Sequence, residues 1–233
     1  VDRLRNSEEF WFYLGTVVVF SGLVAAILTL AGNPTANGFG ETVRQSLFNV
    51  ISIITTTGYA NTDFNQWPAF ATFLLFVCMF FGGMAGSTTC SIKSFRWVVI
   101  FKAFRRDLFT VIHPEAVRPL RLSGRVIDEE TVRNIYSYTL IAIVGVFVVT
   151  TLIVVDGART GVYTQAEITQ FDALGAAAST FLNIGPAFGP AGPYGTYDVF
   201  PTTTKALMVG IMWVGRIEII PVLVLFTRSF WES

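Results

Sequence analysis

Two short polar segments interrupt an otherwise apolar chain: Thr55-Thr56-Thr57-Gly58-Tyr59-Ala60 and Asn183-Ile184-Gly185-Pro186-Ala187. Each follows an uncharged run about as long as one short helix, and each precedes a full-length apolar segment. Hydrocarbon cannot satisfy backbone N–H and C=O groups. A backbone that leaves helical form at membrane depth therefore lines water or is buried in protein. Carbonyls of a Thr-Thr-Gly-Tyr run in that position are the ligand type that replaces the hydration shell of a cation. Gly58 and Gly185 allow the positive φ that turns successive carbonyls the same way at little steric cost. A third candidate is Arg216, about ten residues into the last apolar segment and too deep for easy snorkelling outward. An intramembrane arginine is costly and marks a functional site by default. Glu218 is two residues on; i and i+2 do not face each other on a helix, so its partner is expected on another helix or loop.

The elements that hold these residues follow from composition. Only 14% of the 233 residues are charged, against roughly 25% in a soluble domain, which places the chain in a bilayer. Formal net charge is zero, so nothing favours nucleic acid as a partner. Phe10–Ala31, Ala69–Ile92 and Asn134–Val155 are free of charge over 22, 24 and 22 residues. Each is long enough for a hydrocarbon core that needs about 20. Ala206–Thr227 has the length but contains Arg216 and Glu218. An all-α integral membrane protein with about four full spans is expected. Phe10–Ala31 is too long for a signal-peptide core, and no small-residue cleavage site follows it. The chain opens on Val1 without an initiator Met, and so reads as a piece of a longer protein.

Lysines and arginines concentrate between Lys93 and Arg125, with Arg3 and Arg5 at the head and Arg228 at the tail. Segments 32–68 and 156–204 carry more acid than base. The positive-inside rule then places both termini and the linker 93–131 in the cytoplasm, and both polar breaks outside.

Each half reads as span, short helix, break, span. The first has a span at 10–31, a short helix at about 41–54, the break at 55–60 and a span from Pro68. The second has a span at about 132–155, a short helix at about 169–182, the break at 183–187 and a last span at about 202–227. Gly58 and Gly185 are 127 positions apart, and so are Phe10 and Ser137, where the first spans start. A constant offset indicates duplication. Residues 1–104 and 132–233 are thus two pore-type repeats joined by a cytoplasmic linker, 105–131. A helix of about 14 residues reaches only about 21 Å, so each short helix must enter the membrane and turn back. Within the span from Pro68, Phe81-Gly82-Gly83-Met84-Ala85-Gly86-Ser87-Thr88-Thr89-Cys90-Ser91 holds three glycines in five residues. Such a run breaks a helix, or alternatively packs closely in a bundle of small residues.

With these motifs in place the chain resembles a known family. Thr56-Thr57-Gly58-Tyr59-Ala60 is similar to the potassium-channel signature Thr-Val-Gly-Tyr-Gly. Together with Asn183-Ile184-Gly185-Pro186 and Gly215-Arg216-Ile217-Glu218-Ile219-Ile220-Pro221, it resembles the TrkH/KtrB/HKT superfamily of potassium transporters, the TrkH branch above all. The resemblance implies a pore of four repeats in pseudo-fourfold array, of which this chain carries the third and fourth. It implies that Thr56, Thr57, Gly58, Tyr59, Asn183, Ile184 and Gly185 form potassium-coordinating filter segments. It implies a gate made of an intramembrane loop, including Gly82, Gly83, Gly86, Ser87 and Thr88, and of Arg216 facing the pore below the filter. Thr89 and Cys90 stand where family members are often richer in glycine. Implied partners are the missing amino-terminal half, a second copy in a homodimer, and a cytoplasmic nucleotide-binding regulator of the RCK type. Potassium is cargo, and no cofactor is implied.

Tyr59 reads equally as a brace behind the filter and as an interfacial aromatic. Lys93 serves as the end of the gate loop or as an inside-facing anchor. Cys78 is apolar filler, Cys78 and Cys90 make no metal or disulfide spacing, and His113 is a linker residue. No catalytic constellation is present, so no enzyme is expected. Two further readings stand beside the channel: a repeat-built carrier with a midplane site at Gly82–Cys90, and a membrane anchor for a partner bound through 93–131.

Overall fold

The computed structural model describes residues 7–113, 119–162 and 168–217, with Val224 and Trp231. It is helical throughout except for connections and one small hairpin. The order is α1 (Glu8–Ala31), α2 (Phe39–Ile54), α3 (Ala69–Cys78), α4 (Ser94–Ile112), β1 (Arg121–Leu122), β2 (Arg125–Val126), α5 (Glu129–Thr160), α6 (Gln170–Leu182) and α7 (Thr202–Ile217).

α1 and α5 are long and apolar enough to cross a membrane. At 1.5 Å per residue they reach about 36 and about 48 Å. Ser7 caps α1, accepting from the Phe10 amide at 3.3 Å, and Asp128 caps α5, accepting from the Thr131 amide at 3.0 Å. These bonds, led by that from the Thr131 side chain, hold the Asp128 carboxyl below its usual range. α2 and α6 are short, at 16 and 13 residues. α2 packs on α1 and α3, and α6 packs on α5 and α7. α4 rests against both α1 and α5 and so joins the halves at one end.

The expectation of four full spans is corrected in one place. The uncharged run Ala69–Ile92 is not a helix across its length: α3 stops at Cys78, residues 79–93 are largely irregular, and helix resumes at Ser94. Freedom from charge measures apolarity, not helicity, and Gly82, Gly83 and Gly86 unseat the helix. α4 runs on to Ile112, so the expected boundary at 104 falls inside a helix. The last span is described only as far as Ile217; Glu218 and the rest of the expected span to 227, save Val224, lie outside the described residues.

α6 is the most deeply buried helix: Ala173, Gly175, Ala176, Ala177, Ala178, Ser179 and Thr180 all lie inside. Two aromatic rings hold it. Phe181 covers Gly145 of α5, where a Cβ would come within 2.7 Å of Cζ. Phe188 covers Gly175, where a Cβ would meet the ring at 2.5 Å. The start of α6 is a reciprocal capping box, with Thr169 accepting from the Asp172 amide and Asp172 Oδ2 accepting from the Thr169 amide at 2.8 Å.

α2 is built the other way round. It buries Thr42, Gln45, Ser46, Asn49 and Ser52 and exposes Val43, Leu47, Phe48 and Ile51. The buried amides find partners in the connections: Asn33 Nδ2 donates to Thr42 Oγ1 and Gln45 Oε1, Gln45 Nε2 to the Thr35 carbonyl, and Asn49 Nδ2 to Asn61 Oδ1.

Two stability predictions follow from α6. Gly145→Leu should overpack against Phe181 and lower stability by about 1–3 kcal/mol. Thr169→Ala removes one half of the capping box and should cost about 1 kcal/mol. Thermal unfolding of the full-length protein in detergent, followed by intrinsic fluorescence, checks both; an unchanged midpoint for Gly145→Leu would refute the packing of α6 on α5.

Candidate functional site

The two polar breaks lie at the C-terminal ends of α2 and α6, and the fold brings them together. α2 ends as the Thr55 amide donates to the Ile51 carbonyl at 2.8 Å. The chain then reverses: the Thr57 and Gly58 amides both donate to the Ser52 carbonyl, at 2.9 and 3.3 Å. Thr56 adopts φ 51° and Gly58 φ 77°. At the end of α6, Asn183 takes a left-handed conformation, φ 56°, and the Ile184 amide donates to Ser179 O at 2.9 Å. Gly185 follows at φ 121°.

The breaks touch backbone to backbone. A Cβ on Gly58 would lie 2.3 Å from the Ile184 carbonyl oxygen, and one on Gly185 would lie 3.3 Å from Gly58 Cα. Both positions therefore need glycine twice, for conformation and for room.

The amides of Thr57, Gly58, Ile184 and Gly185 point back into the protein, to Ser52 O and Ser179. Among the described residues, the carbonyls of Thr56, Thr57, Gly58, Asn183 and Ile184 accept no hydrogen bond. Buried or half-buried carbonyls nearly always have a partner, so a run of open ones is an oxygen-rich surface. The Gly185 carbonyl differs, since it accepts from Ser179 Oγ and Tyr197 Oη, both at 2.9 Å. Burial pushes the Tyr197 phenol up to about 12, so it remains a donor at neutral pH. Tyr59 is 72% exposed. The aromatic ring that braces a break is Tyr197, which the sequence reading did not single out.

A second missed residue ties the segments near their outer ends. Asn65 Nδ2 donates to the Gly189 carbonyl and Asn65 Oδ1 accepts from the Gly189 amide, each at 2.9 Å. Nothing in the sequence around Asn65 marks it, because its partner is 124 positions away.

The loop after α3 lies on the other side of the first break. It is pinned at its base: the Gly82 amide donates to Ile92 O at 2.9 Å, the Ser94 amide to Gly83 O at 3.0 Å, and Ser94 Oγ to Gly82 O at 2.8 Å. Trp97 Nε1 donates to Phe80 O at 3.0 Å and Ser91 Oγ to Met79 O at 2.6 Å. A Cβ on Gly82 would come within 2.6 Å of the Cys90 carbonyl, so the two limbs of the loop close only over glycine. The tip differs: Ala85, Gly86 and Thr88 are exposed, while Gly82 and Gly83 are buried. Within it the Gly83 amide donates to Thr89 Oγ1, and the hydroxyls of Ser87 and Thr89 pair.

This loop connects the first break to Arg216. The Cys90 amide donates to Thr56 Oγ1 at 3.3 Å. Arg216 Nη1 donates to the Thr88 carbonyl at 3.2 Å and lies 3.3 Å from Cys90 Sγ. α7 is held against the second break as well, since Asn183 Nδ2 donates to Met212 O at 3.1 Å and Gly215 abuts the Phe181 carbonyl. A cavity of about 230 Å³ lies there, lined by the loop from Ser87 to Ser91 and by Lys93, Tyr138, Gly215 and Arg216. Among the described residues, Lys93 and Arg216 are the charged side chains lining it, and nearby Arg96 stacks 3.6 Å above the Tyr138 ring. Cys78 is core, and His113, stacked on Phe109, stands apart from all of this. No group of three or more His, Cys, Asp or Glu suited to a metal occurs among the described residues.

The profile of TrkH, described as a cation transport protein, matches residues 11–233. The chain is 34% identical over 191 residues to the Trk system potassium uptake protein TrkH of Halomonas elongata, covering 82% of this chain and 37% of that one. It is 30% identical over 228 residues to the protein of the same name from Escherichia coli K12, covering 98% of this chain and 44% of that one. The crystal structure of the potassium transporter TrkH from Vibrio parahaemolyticus superposes with a TM-score of 0.80 at 26% identity, over 97% of this chain and 45% of that one. The chain thus spans less than half the length of the relatives it matches. These relatives are membrane transporters and not enzymes, and the chain belongs to the TrkH family of cation transport proteins.

Proposed function

We propose that this chain forms half of a channel-like potassium uptake pore. It supplies two span–short helix–break–span repeats, residues 1–104 and 132–233, joined by the linker 105–131. The observation that carries the reading is the set of open carbonyls on Thr56, Thr57, Gly58, Asn183 and Ile184, with the amides of the same turns directed inward. Unpartnered carbonyl dipoles, with their own amides tied down, suit a dehydrated cation. The relatives are named for potassium uptake, which selects the ion.

Two breaks make half a ring. The other half comes from two further repeats outside this sequence, and the exposed apolar face of α2, with Leu47, Phe48 and Ile51, is a surface for them to cover. The full protein works as a homodimer, with the termini of this chain and the linker 93–131 in the cytoplasm, where an RCK-type regulator docks. Tyr59 belongs to the filter segment by position. Gly82, Gly83, Gly86, Ser87 and Thr88 form the gate with Arg216, whose charge sits on the loop through Thr88 and Cys90. A unit charge about 10 Å from a passing cation, at an effective dielectric of about 20, raises its energy by about 1.7 kcal/mol. That is a barrier of somewhat over tenfold in rate.

Gly58→Ser and Gly185→Ser in the full-length transporter should each lower the potassium-over-sodium uptake ratio by roughly tenfold or more, since each change distorts both breaks. Ion uptake into proteoliposomes under an imposed gradient measures this, and an unaltered ratio in both variants would sink the filter assignment. Arg216→Ala should raise potassium flux by roughly tenfold at the same driving force. Flux no different from wild type would remove Arg216 from the barrier.

A further inference from the structure

A separate basic cavity lies along the middle of α4, away from the gate loop. It has a volume of about 320 Å³ and is lined by Lys102, Arg105, Arg106, Pro119, Leu120 and Arg121. α4 contributes three of the cations, and the strand of β1 closes the wall with Arg121.

Two of the four cations are already engaged, and their partners fix the depth of the site. Lys102 pairs with Glu8 and donates to the Arg121 carbonyl at 2.8 Å. Arg106 pairs with Glu129 and, at 3.1 Å, with Asp107. Glu8 and Glu129 stand in the first turns of α1 and α5, the two helices long enough to cross a bilayer. The cavity is therefore level with the ends of both spans, where the hydrocarbon gives way to headgroups. The hairpin is held at this level by the Glu8 amide donating to Ser123 Oγ at 3.3 Å.

The other two cations are uncommitted. Among the described residues, neither Arg105 nor Arg121 makes a side-chain hydrogen bond or ion pair. Both are exposed. Guanidinium groups match phosphate oxygens in paired hydrogen bonds, which favours a phosphate over a diffuse counter-ion. Beneath them lies an apolar floor of Val99, Ala103, Leu120, Val132 and Ile135. Beside them, Phe101, Phe104, Leu108, Val111 and Ile112 form an exposed apolar stripe on α4 at spacings of three and four. A free phosphate has no use for Phe101 and Phe104, at the end of that stripe nearest the spans, whereas the acyl chains of a lipid do.

We propose that this cavity binds a phosphate group presented by an anionic membrane lipid, with Arg105 and Arg121 on the phosphate and Phe101 and Phe104, the end of the stripe nearest the spans, against an acyl chain. Lys102 and Arg106 shape the wall and tie the site to the starts of α1 and α5. Basic pockets between helices at a membrane surface are suited to acidic headgroups. The proposal rests only on the chain being a membrane protein, and stands whatever the pore conducts.

The test uses the full-length transporter in nanodiscs made from an equal mixture of phosphatidylglycerol and phosphatidylcholine, extracted into mild detergent and weighed by native mass spectrometry. Wild type should retain phosphatidylglycerol over phosphatidylcholine. Arg105→Gln combined with Arg121→Gln should lower that preference by roughly tenfold. Arg105→Lys with Arg121→Lys should keep most of it, and Arg159→Gln, at the far end of α5, should leave it unchanged. Millimolar inorganic phosphate added before extraction separates the sources: it should displace little of the lipid. An unaltered preference in the double glutamine variant overturns the proposal. So does phosphate binding at these arginines without any preference between the two lipids, which would assign the site to a free anion.

Discussion

The approach of Gly58 to Ile184 governs the rest of the molecule. Two helix ends from different halves of the chain meet there with no side chain between them, close enough that a single Cβ would overlap a carbonyl oxygen. Such a contact is tolerable only if both turns are fixed from behind. Ser52 O fixes the first by accepting two amides, and Ser179 with Tyr197 fixes the second. α6 is accordingly rich in alanine, because it must sit deep enough to deliver Ile184, and the rings of Phe181 and Phe188 close over Gly145 of α5 and Gly175 of α6. Asn65 and Gly189 repeat the tie between halves further along the connections.

The inverted burial of α2 belongs to the same logic. Its polar residues turn inward because the connections 33–35 and 61–67 need amide and hydroxyl partners, and hydrocarbon offers none. Val43, Leu47, Phe48 and Ile51 on the opposite face then turn outward, while Val50, Ile53 and Ile54 near its end stay in the core. Membrane proteins can accept this arrangement, since lipid or a neighbouring helix is as apolar as a core.

Much of this was legible in the sequence. The bounds of α2 and α6 fell within two residues of expectation, because an acidic first turn leading into an uncharged run closed by glycine has few other readings. The failed helix at Gly82–Ser91 was also readable, since three glycines in five residues outweigh apolarity. The length of α3 was not: the helix already ends at Cys78, before the first glycine, because the Gly82–Ile92 and Ser91–Met79 bonds draw the chain back earlier. Tyr197 and Asn65 were invisible for a related reason. Each acts through one hydrogen bond or one reciprocal pair to a distant backbone group, and such partners leave no periodicity. Arg216 stood out by its cost in an apolar segment, but its contact with Thr88 and Cys90 is a fact of tertiary packing.

The bond from the Cys90 amide to Thr56 Oγ1 has a thermodynamic consequence. It makes one threonine a shared member of two structures, the turn with the open carbonyls and the loop under Arg216. Free energy that orders either one through this bond must also appear in the other, by the same factor and in both directions. In the pore proposed above, an ion that steadied the turn would thereby steady the loop, and a movement of the loop would alter how firmly the ion is held. Occupancy and opening of that pore would then be not successive events along a conduit but linked equilibria of a single hydrogen-bonded unit.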